Sequence, residues 1–459
     1  MLKQIYKTLF ALAAFLIFLL LPPVAGLSSS GQRVIAVVIL AIILWATEAL
    51  PVGVSSLIIL VLLAATKSVT SVSELFHGFR SPILYFLIGV MAMAGAIVKS
   101  GLAQRVAQIF LRGAQGNSRR LFLNCLLSLP PLALILPSAI TRNAILLPAY
   151  QETFQEMNLT RQDGLVKSIV LTLGLLNPFA SSAFMTGGLA PMTTATLLGG
   201  FSWGRWFFLM SVPYYLLLIL GGVWIFFTNP SSKKSFAVAK EERLPPLTSA
   251  EIRVLFTLAL TSLLWILDFW HGWHPAIPAL IAAAILSAPQ IGILSWKELE
   301  GSISWSTFFV LGASLSLAQA LINTGAANWF AQALSTYIIQ FQETPALVIF
   351  MLILMVTIVH LGIANMSACI ALLIPVTTTL ASSLQMNPLV FGLIVGIVVD
   401  AVILYPVQTA TNLLAYETGL IGSYDVFKVG LGLFVLTFLV ILFVAIPWWG
   451  ILGLPLSMR

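Results

Sequence analysis

The chain has 459 residues, 59% of them hydrophobic and 8% charged, and its mean hydropathy is +1.04. A soluble domain carries about 25% charged residues; the 22 Lys+Arg and 15 Asp+Glu here cannot cover a globule of this size, so lipid must be the solvent for most of the surface. That excludes a soluble enzyme, a nucleic-acid-binding module and a disordered scaffold, and the net charge of +7 reads as the Lys/Arg bias of cytoplasmic loops.

Cys125 and Cys369 lie far apart in apolar stretches, so neither a disulfide framework nor a zinc site is indicated. None of His77, His271, His274 and His360 belongs to H-E-x-x-H, and the phosphate-loop pattern G-x-x-x-x-G-K-[ST] is missing. No cofactor or resident metal is expected. Any pumping must draw on an ion or solute gradient, or on a separate subunit.

From the amino terminus, Lys3 and Lys7 precede an apolar run from Thr8 to Leu21 that could pass for a secretory signal. Pro22-Pro23 follow it without a small-residue cleavage site, so 8–27 reads as the first transmembrane helix. A bilayer core of about 30 Å needs about 20 apolar residues in a helix. The next candidates are 33–50, 52–66, 82–98, 121–136, 143–157, 165–180, 190–200 and 206–228. Then come 254–270, 276–293, 304–322, 345–364, 366–383, 388–405, 411–422 and 429–450. Several are too short to cross. The short ones come in adjacent pairs broken by polar or Pro/Gly residues, the pattern of re-entrant hairpins and discontinuous helices.

With 121–157 and 345–383 as hairpins and 165–200 and 388–422 as broken helices, about eleven transmembrane helices remain. Lys3 and Lys7 inside leave only Arg33, Lys67, Arg80, Arg205 and Arg459 outside. Lys99, Arg105, Arg112, Arg119, Arg120, Lys233, Lys234, Lys240, Arg243 and Arg253 fall inside, as the positive-inside rule requires. The expected setting is the plasma (inner) membrane, multi-pass, with the amino terminus cytoplasmic.

Residues 229–250 form the one clear polar linker, with Pro245-Pro246, and divide the chain into membrane halves 1–228 and 251–459. SPILYFLIGVMAMAGAIVKSGLAQRVAQ (81–108) echoes SWSTFFVLGASLSLAQALINTGAANWFAQ (304–332), aligning Gly89 with Gly312 and Gly101 with Gly325. Each copy precedes a hairpin ending in an aliphatic run and proline, at 145–148 and 372–375. The second copy begins after an odd number of crossings, so the halves are predicted to be inverted repeats. Such repeats with broken helices point to a secondary transporter working by alternating access.

The polar tips of the broken segments are the candidate substrate site. The first half supplies Ser138, Thr141, Arg142 and Asn143 from LPSAITRNA (136–144), and Thr186 and Gly187 from NPFASSAFMTGGLAP (177–191). The second supplies Asn365 and Ser367 from HLGIANMSA (360–368), and Thr409, Thr411 and Asn412 from YPVQTATN (405–412). Helix N-termini starting at these breaks would aim N–H groups and positive dipole ends at one spot, which makes an anion site. A single membrane hydroxyl is as readily a packing group bonded to its own backbone; four mirrored clusters weigh against that.

Arg142, His360 and Asp400 are the candidates for charge compensation or coupling. Arg142 at a hairpin tip is functional by default, the alternative being a side chain that snorkels to the cytoplasmic face. His360 opens the second tip, or is a satisfied helix-end histidine. Asp400 lies within VGIVVDAVILYP and could pair with Arg142 or carry a proton. Glu48 ends a span and reads as structural; Glu417 reads as a water-interface residue.

WATEALPVG (45–53), FLIGVMAMAGAIVKSGL (86–102) and YPVQTATNLLAYETGLIGSYDVFKVGL (405–431) resemble the divalent anion:sodium symporter family. SSAFMTGGLAP (181–191) and an arginine after P-S-x-x-x resemble its citrate/succinate antiporter and plastid 2-oxoglutarate/malate translocator branch. The resemblance spans about residues 30–450, with Pro406, Thr409 and Asn412 its most specific part. It implies a homodimer of scaffold and transport domains with an elevator motion, and di- or tricarboxylate substrates such as malate, succinate, 2-oxoglutarate or citrate, sometimes sulfate. It also implies Ser-Asn-Thr hairpin tips that hold carboxylate and help enclose sodium. This chain keeps Ser138 but has Ala139 and Ile140 at the first tip; at the second it keeps Asn365 between Ala364 and Met366. Sodium near Ser138 and Asn365 is therefore possible but not favoured.

The sequence thus reads as an all-α polytopic transporter of small divalent anions, working by exchange and not an enzyme. The rival with the same fold is a sodium- or proton-coupled symporter; the rival of another class is an anion channel. An intramembrane enzyme is weakened because no nucleophile–base motif stands out.

Overall fold

A computed structural model describes residues 2–112, 117–136, 138–199, 201–230, 245–363 and 365–457. Most of the polar linker, with Lys233, Lys234, Lys240 and Arg243, lies outside the described residues, as do Ala364 and Arg459. The described chain is helical throughout, with only an isolated bridge between Met386 and Ser457. Before the linker run α1 (Leu2–Leu20), α2 (Ser29–Thr47), α3 (Val52–Ala65), α4 (Val72–Leu75), α5 (Pro82–Ser100), α6 (Leu102–Arg112), α7 (Ser118–Ile135), α8 (Ala139–Glu156), α9 (Gly164–Leu171), α10 (Asn177–Ser182), α11 (Leu189–Leu198) and α12 (Trp203–Thr228). After it run α13 (Ser249–Ile266), α14 (Asp268–His271), α15 (Ala276–Ser287), α16 (Trp296–Ser302), α17 (Trp305–Asn323), α18 (Ala326–Ile338), α19 (Pro345–Gly362), α20 (Met366–Ser383), α21 (Pro388–Ala401), α22 (Ala410–Glu417), α23 (Ser423–Val440) and α24 (Ile446–Ile451). Among the described residues nine helices are long and apolar enough to cross a membrane, accompanied by shorter apolar ones. The chain is an integral, multi-pass membrane protein.

Element ends follow local chemistry. α2 begins at Ser29 rather than 33 because Ser28 caps it, its hydroxyl accepting from Gly31 N at 2.9 Å. The 276–293 span ends at Ser287, where Gly292 N turns back onto Ala288 O and Leu294 N onto Leu286 O. α21 stops at Ala401, and Gln408 holds the extended stretch beyond it: its Oε1 accepts from Leu404 N and its Nε2 donates to Val402 O.

α6 and α18 fall outside the spans read from the sequence. α6 follows α5 through Gly101 at φ +82°, and α18 follows α17 through Gly325 at φ +76°. Both glycines adopt the left-handed conformation that side-chain-bearing residues avoid. The two positions aligned by sequence therefore make the same turn. α6 packs on α7 and α8, and α18 on α20, so each short helix lies along a hairpin. Arg105 on α6 holds the end of the linker: its guanidinium pairs with Glu251 at 2.6 and 3.1 Å and reaches Pro245 O and Pro246 O.

α12 carries a proline in its interior, and a side chain serves the carbonyl it leaves behind. Pro213 within α12 has no N–H for Leu209 O. The indole of the buried Trp449 donates to that carbonyl at 2.8 Å, and Trp448 donates to Phe208 O at 2.7 Å. Both tryptophans follow a π turn, Ile441–Ala445, which joins α23 to α24. Trp449→Phe should lower stability by about 1–3 kcal/mol, the cost of a stranded buried carbonyl. Thermal unfolding of the solubilised protein measures it, and an unchanged midpoint would show that Leu209 O finds another donor.

Candidate functional site

The two hairpins break in the same way. α7 is capped by Leu136, whose N–H bonds to Leu132 O; α19 is capped by Ile363, whose N–H bonds to Val359 O. α8 then starts from Ser138, its hydroxyl accepting from Thr141 N at 3.2 Å, and α20 from Asn365, its Oδ1 accepting from Ala368 N at 2.9 Å. The two caps share one extended conformation, φ −75°, ψ 113° at Ser138 and φ −83°, ψ 110° at Asn365. Two further helices begin inside the protein. α22 is capped by Thr409, and α11 by Gly188. Each break leaves the first N–H groups of a helix without a ladder partner, the arrangement that attracts an anion.

Beneath the first tip lies a buried polar cluster. Arg142 is wholly buried. Its guanidinium donates from Nε to Asn177 Oδ1 at 2.7 Å, to Asn177 O at 3.0 Å and to Leu136 O. Asn177 Nδ2 donates to Ala139 O at 3.0 Å and to Asn143 Oδ1 at 2.6 Å. Asn143 Nδ2 continues to Leu173 O at 2.8 Å and Thr411 O at 3.0 Å. A π turn, Thr172–Leu176, makes this possible. Within it Asn177 N bonds to Thr172 O and Pro178 has no N–H, so Leu173 O is left for Asn143.

The second tip is tied in through α22. Asn412 Nδ2 donates to Tyr405 O and Pro406 O at 3.2 and 3.1 Å, and the Tyr405 hydroxyl donates to Leu361 O at 2.9 Å. His360, wholly buried, bonds through Nδ1 to Ile363 O at 3.0 Å. A carbonyl only accepts, so Nδ1 carries the proton. Leu136 O and Ile363 O are equivalent groups, each the last carbonyl before its tip, and each is held by a basic side chain. Packing crosses over: α8 lies on α22, and α20 lies on α11.

The residues expected from the sequence separate into groups. Ser138, Thr141, Arg142 and Asn143 gather with Thr409, Thr411 and Asn412 where α8 meets α22. The Thr409 and Thr411 hydroxyls lie 3.2 Å apart. Asn365 and Ser367 lie in the first turn of α20, with His360 just before the break. Thr186 has a different neighbour: its hydroxyl accepts from Trp203 Nε1 at 3.0 Å, beside a small cavity bounded by Leu134, Trp203 and Trp265. Gly187 is packed against Ser181 O, 1.7 Å from where a Cβ would sit. Asp400 does not pair with Arg142. Among the guanidinium's bonds to described residues are those to Asn177 and Leu136, whereas Asp400 lies by Ser182 and Tyr214 on α10 and α12. Asp400 Oδ2, Asn412 Oδ1 and His360 Nε2 are buried without a hydrogen-bond partner among the described residues. Sequence reading missed Asn177, Tyr405 and Gln408. Asn177 opens the Asn-Pro step after an apolar run, which was the available signal.

The chain matches the family described as "Sodium:sulfate symporter transmembrane region" over residues 2–455. An L-tartrate/succinate antiporter of Shigella sonnei is 26% identical, the alignment covering 98% of each chain. A protein of Cupriavidus necator described as a membrane protein is 25% identical over 96% of this chain and 92% of its own. The crystal structure of the YdaH transporter of Alcanivorax borkumensis, described as having an unusual topology, superposes with a TM-score of 0.57 at 14% identity, covering 99% of both chains.

Gly187→Ala should lower stability by about 3 kcal/mol, because the methyl group cannot enter the turn without moving Ser181. Gly204→Ala, which meets open space, is the control. Equal thermal midpoints for the two variants would show that the 183–188 turn yields freely.

Proposed function

The chain belongs to the divalent anion:sodium symporter family, whose members are transporters rather than enzymes, and on that premise we propose that it exchanges small dicarboxylate anions across the membrane. The antiporter relatives support the substrate class. The observation that carries the coupling is the environment of Arg142, whose guanidinium takes two backbone carbonyls and an amide oxygen at the first tip. Those are the oxygens a bound cation would need. A guanidinium and a sodium ion about 4 Å apart repel by about 4 kcal/mol at an effective dielectric of 20. The first tip therefore fits a fixed cation and does not fit sodium. His360 stands at the equivalent carbonyl of the second tip.

A dianion in a low-dielectric site needs compensating positive charge or many donors. Arg142 supplies the charge, and the first turns of α8, α20, α22 and α11 supply N–H groups. Ser138, Asn365, Thr409 and Asn412 are the side chains placed at those turns. A fixed charge cannot leave with the substrate. The empty carrier would have to move it uncompensated through the bilayer, which is costly. Obligate exchange follows. We place the working unit as an elevator-type homodimer of inverted repeats, 1–228 and 251–459, in the plasma membrane with a cytoplasmic amino terminus.

A second reading rests on Asp400. A buried carboxyl group with one oxygen unpartnered among the described residues can carry a proton, which would allow proton-coupled net transport.

Proteoliposomes loaded with one dicarboxylate at a time test both readings. Exchange predicts saturable counterflow of succinate, tartrate or malate and little efflux into medium without counter-substrate, with or without sodium. Fast sodium-stimulated net efflux would restore the symporter, and proton-driven net flux the Asp400 reading. Current far above carrier turnover would indicate a channel. Transport of neutral hexoses without competition from dicarboxylates or sulfate would end the anion assignment.

A further inference from the structure

We propose that Asn177 is the positioning residue of the first tip: it fixes where the Arg142 charge sits relative to the anion and links that position, through Asn143, to the first turn of α22. The proposal rests on the dicarboxylate-exchange reading and adds to it a residue that does not itself touch substrate.

Asn177 is wholly buried. It meets Arg142 twice, with Oδ1 accepting from Nε at 2.7 Å and its backbone carbonyl accepting from a terminal guanidinium nitrogen at 3.0 Å. Two acceptors on one residue hold the planar fork of the guanidinium in orientation as well as in place. The amide Nδ2 donates to Ala139 O at 3.0 Å, which ties the same residue to the first turn of α8, where the anion would meet the helix N-terminus. Its second donor goes to Asn143 Oδ1 at 2.6 Å. Asn143 is itself saturated in the same direction, with both of its N–H groups on Leu173 O and Thr411 O. Asn177 and Asn143 therefore join α8, the π turn and α22, three elements far apart in sequence.

Local backbone chemistry aims the side chain. An α-helix advances about 100° per residue. The extra residue of the Thr172–Leu176 turn shifts the phase of everything after it, and Pro178 fixes the start of α10. Without that turn Asn177 would leave the face that looks at Arg142. An amide suits the task because it supplies acceptors to the guanidinium and donors to Ala139 and Asn143 at once. Moving a unit charge from about 4 to about 6 Å from its partner, at an effective dielectric of 20, lowers affinity roughly tenfold. Loss of the Asn177 side chain should therefore appear in substrate affinity.

The test is succinate counterflow into succinate-loaded proteoliposomes, with KM and Vmax measured for the full-length parent, Asn177→Ser and Asn177→Asp, and thermal unfolding measured alongside. The serine variant should raise KM about tenfold while Vmax stays within about threefold of the parent. The aspartate variant keeps an acceptor at Oδ1 but sets a carboxylate against the guanidinium. It should raise KM at least as much, and it carries the test if the serine variant does not fold. KM within about twofold of the parent in a folded variant overturns the proposal, as does a fall in Vmax at unchanged KM, the mark of a merely structural residue. In either case an active parent leaves the exchange reading standing. A folded parent with no counterflow of succinate, tartrate or malate overturns both together.

Discussion

A carbonyl that loses its helical partner inside a bilayer has no water to turn to, and the candidate site is organised around two such groups. Leu136 O and Ile363 O end the entering arms of the two hairpins, and each is met by a nitrogen from a basic side chain, Arg142 or His360. Unsatisfied backbone at membrane depth costs several kcal/mol per group. At the first tip that side chain is the Arg142 guanidinium, so a cation is built into the hairpin geometry there. Because it is, the Arg142 charge belongs to the protein and stays with it when an anion leaves. The structural requirement of the breaks and the proposed exchange chemistry meet in the same hydrogen bonds.

The same rule holds at two further breaks. The π turn at Thr172–Leu176 frees Leu173 O and Asn143 takes it; Pro213 frees Leu209 O and Trp449 takes it. In each case the donor comes from an element distant in sequence, so a local irregularity becomes a tertiary contact. The irregular backbone lies where protein surrounds it, as it must in lipid.

The crossed packing has a functional consequence. α8 from the first hairpin lies on α22, and α20 from the second lies on α11. Each tip is thus completed by the broken helix from the other side of the linker. The hydrogen-bond path runs from Leu136 O through Arg142, Asn177 and Asn143 to Thr411 on α22; Asn412 of the same helix bonds Tyr405 O, and the Tyr405 hydroxyl reaches Leu361 O in the last turn of α19, before the second tip. An anion held at these helix ends would touch both sides of the molecule, and a shift at one tip has a physical route to the other.

The sequence by itself determined the membrane setting, the positions of the hairpins and broken helices, and the family. Those follow from composition, from the length of apolar runs and from local motifs such as P-x-x-T-x-x-N, all of them one-dimensional. It also identified Gly101 and Gly325 as equivalent, because a left-handed turn leaves a glycine in the text. It did not find α6 and α18, which are too short or too polar to register as spans. Nor did it find Asn177, whose role comes from the phase shift of a π turn that no residue pattern announces. It allowed Arg142 to meet Asp400; the fold instead gave Arg142 to Asn177 and Leu136, and set Asp400 by Ser182 and Tyr214. Which charged group faces which is decided by how helices far apart in sequence are rotated and packed. Apolar periodicity fixes that a helix is buried, but only the partner helices fix what its polar residues touch.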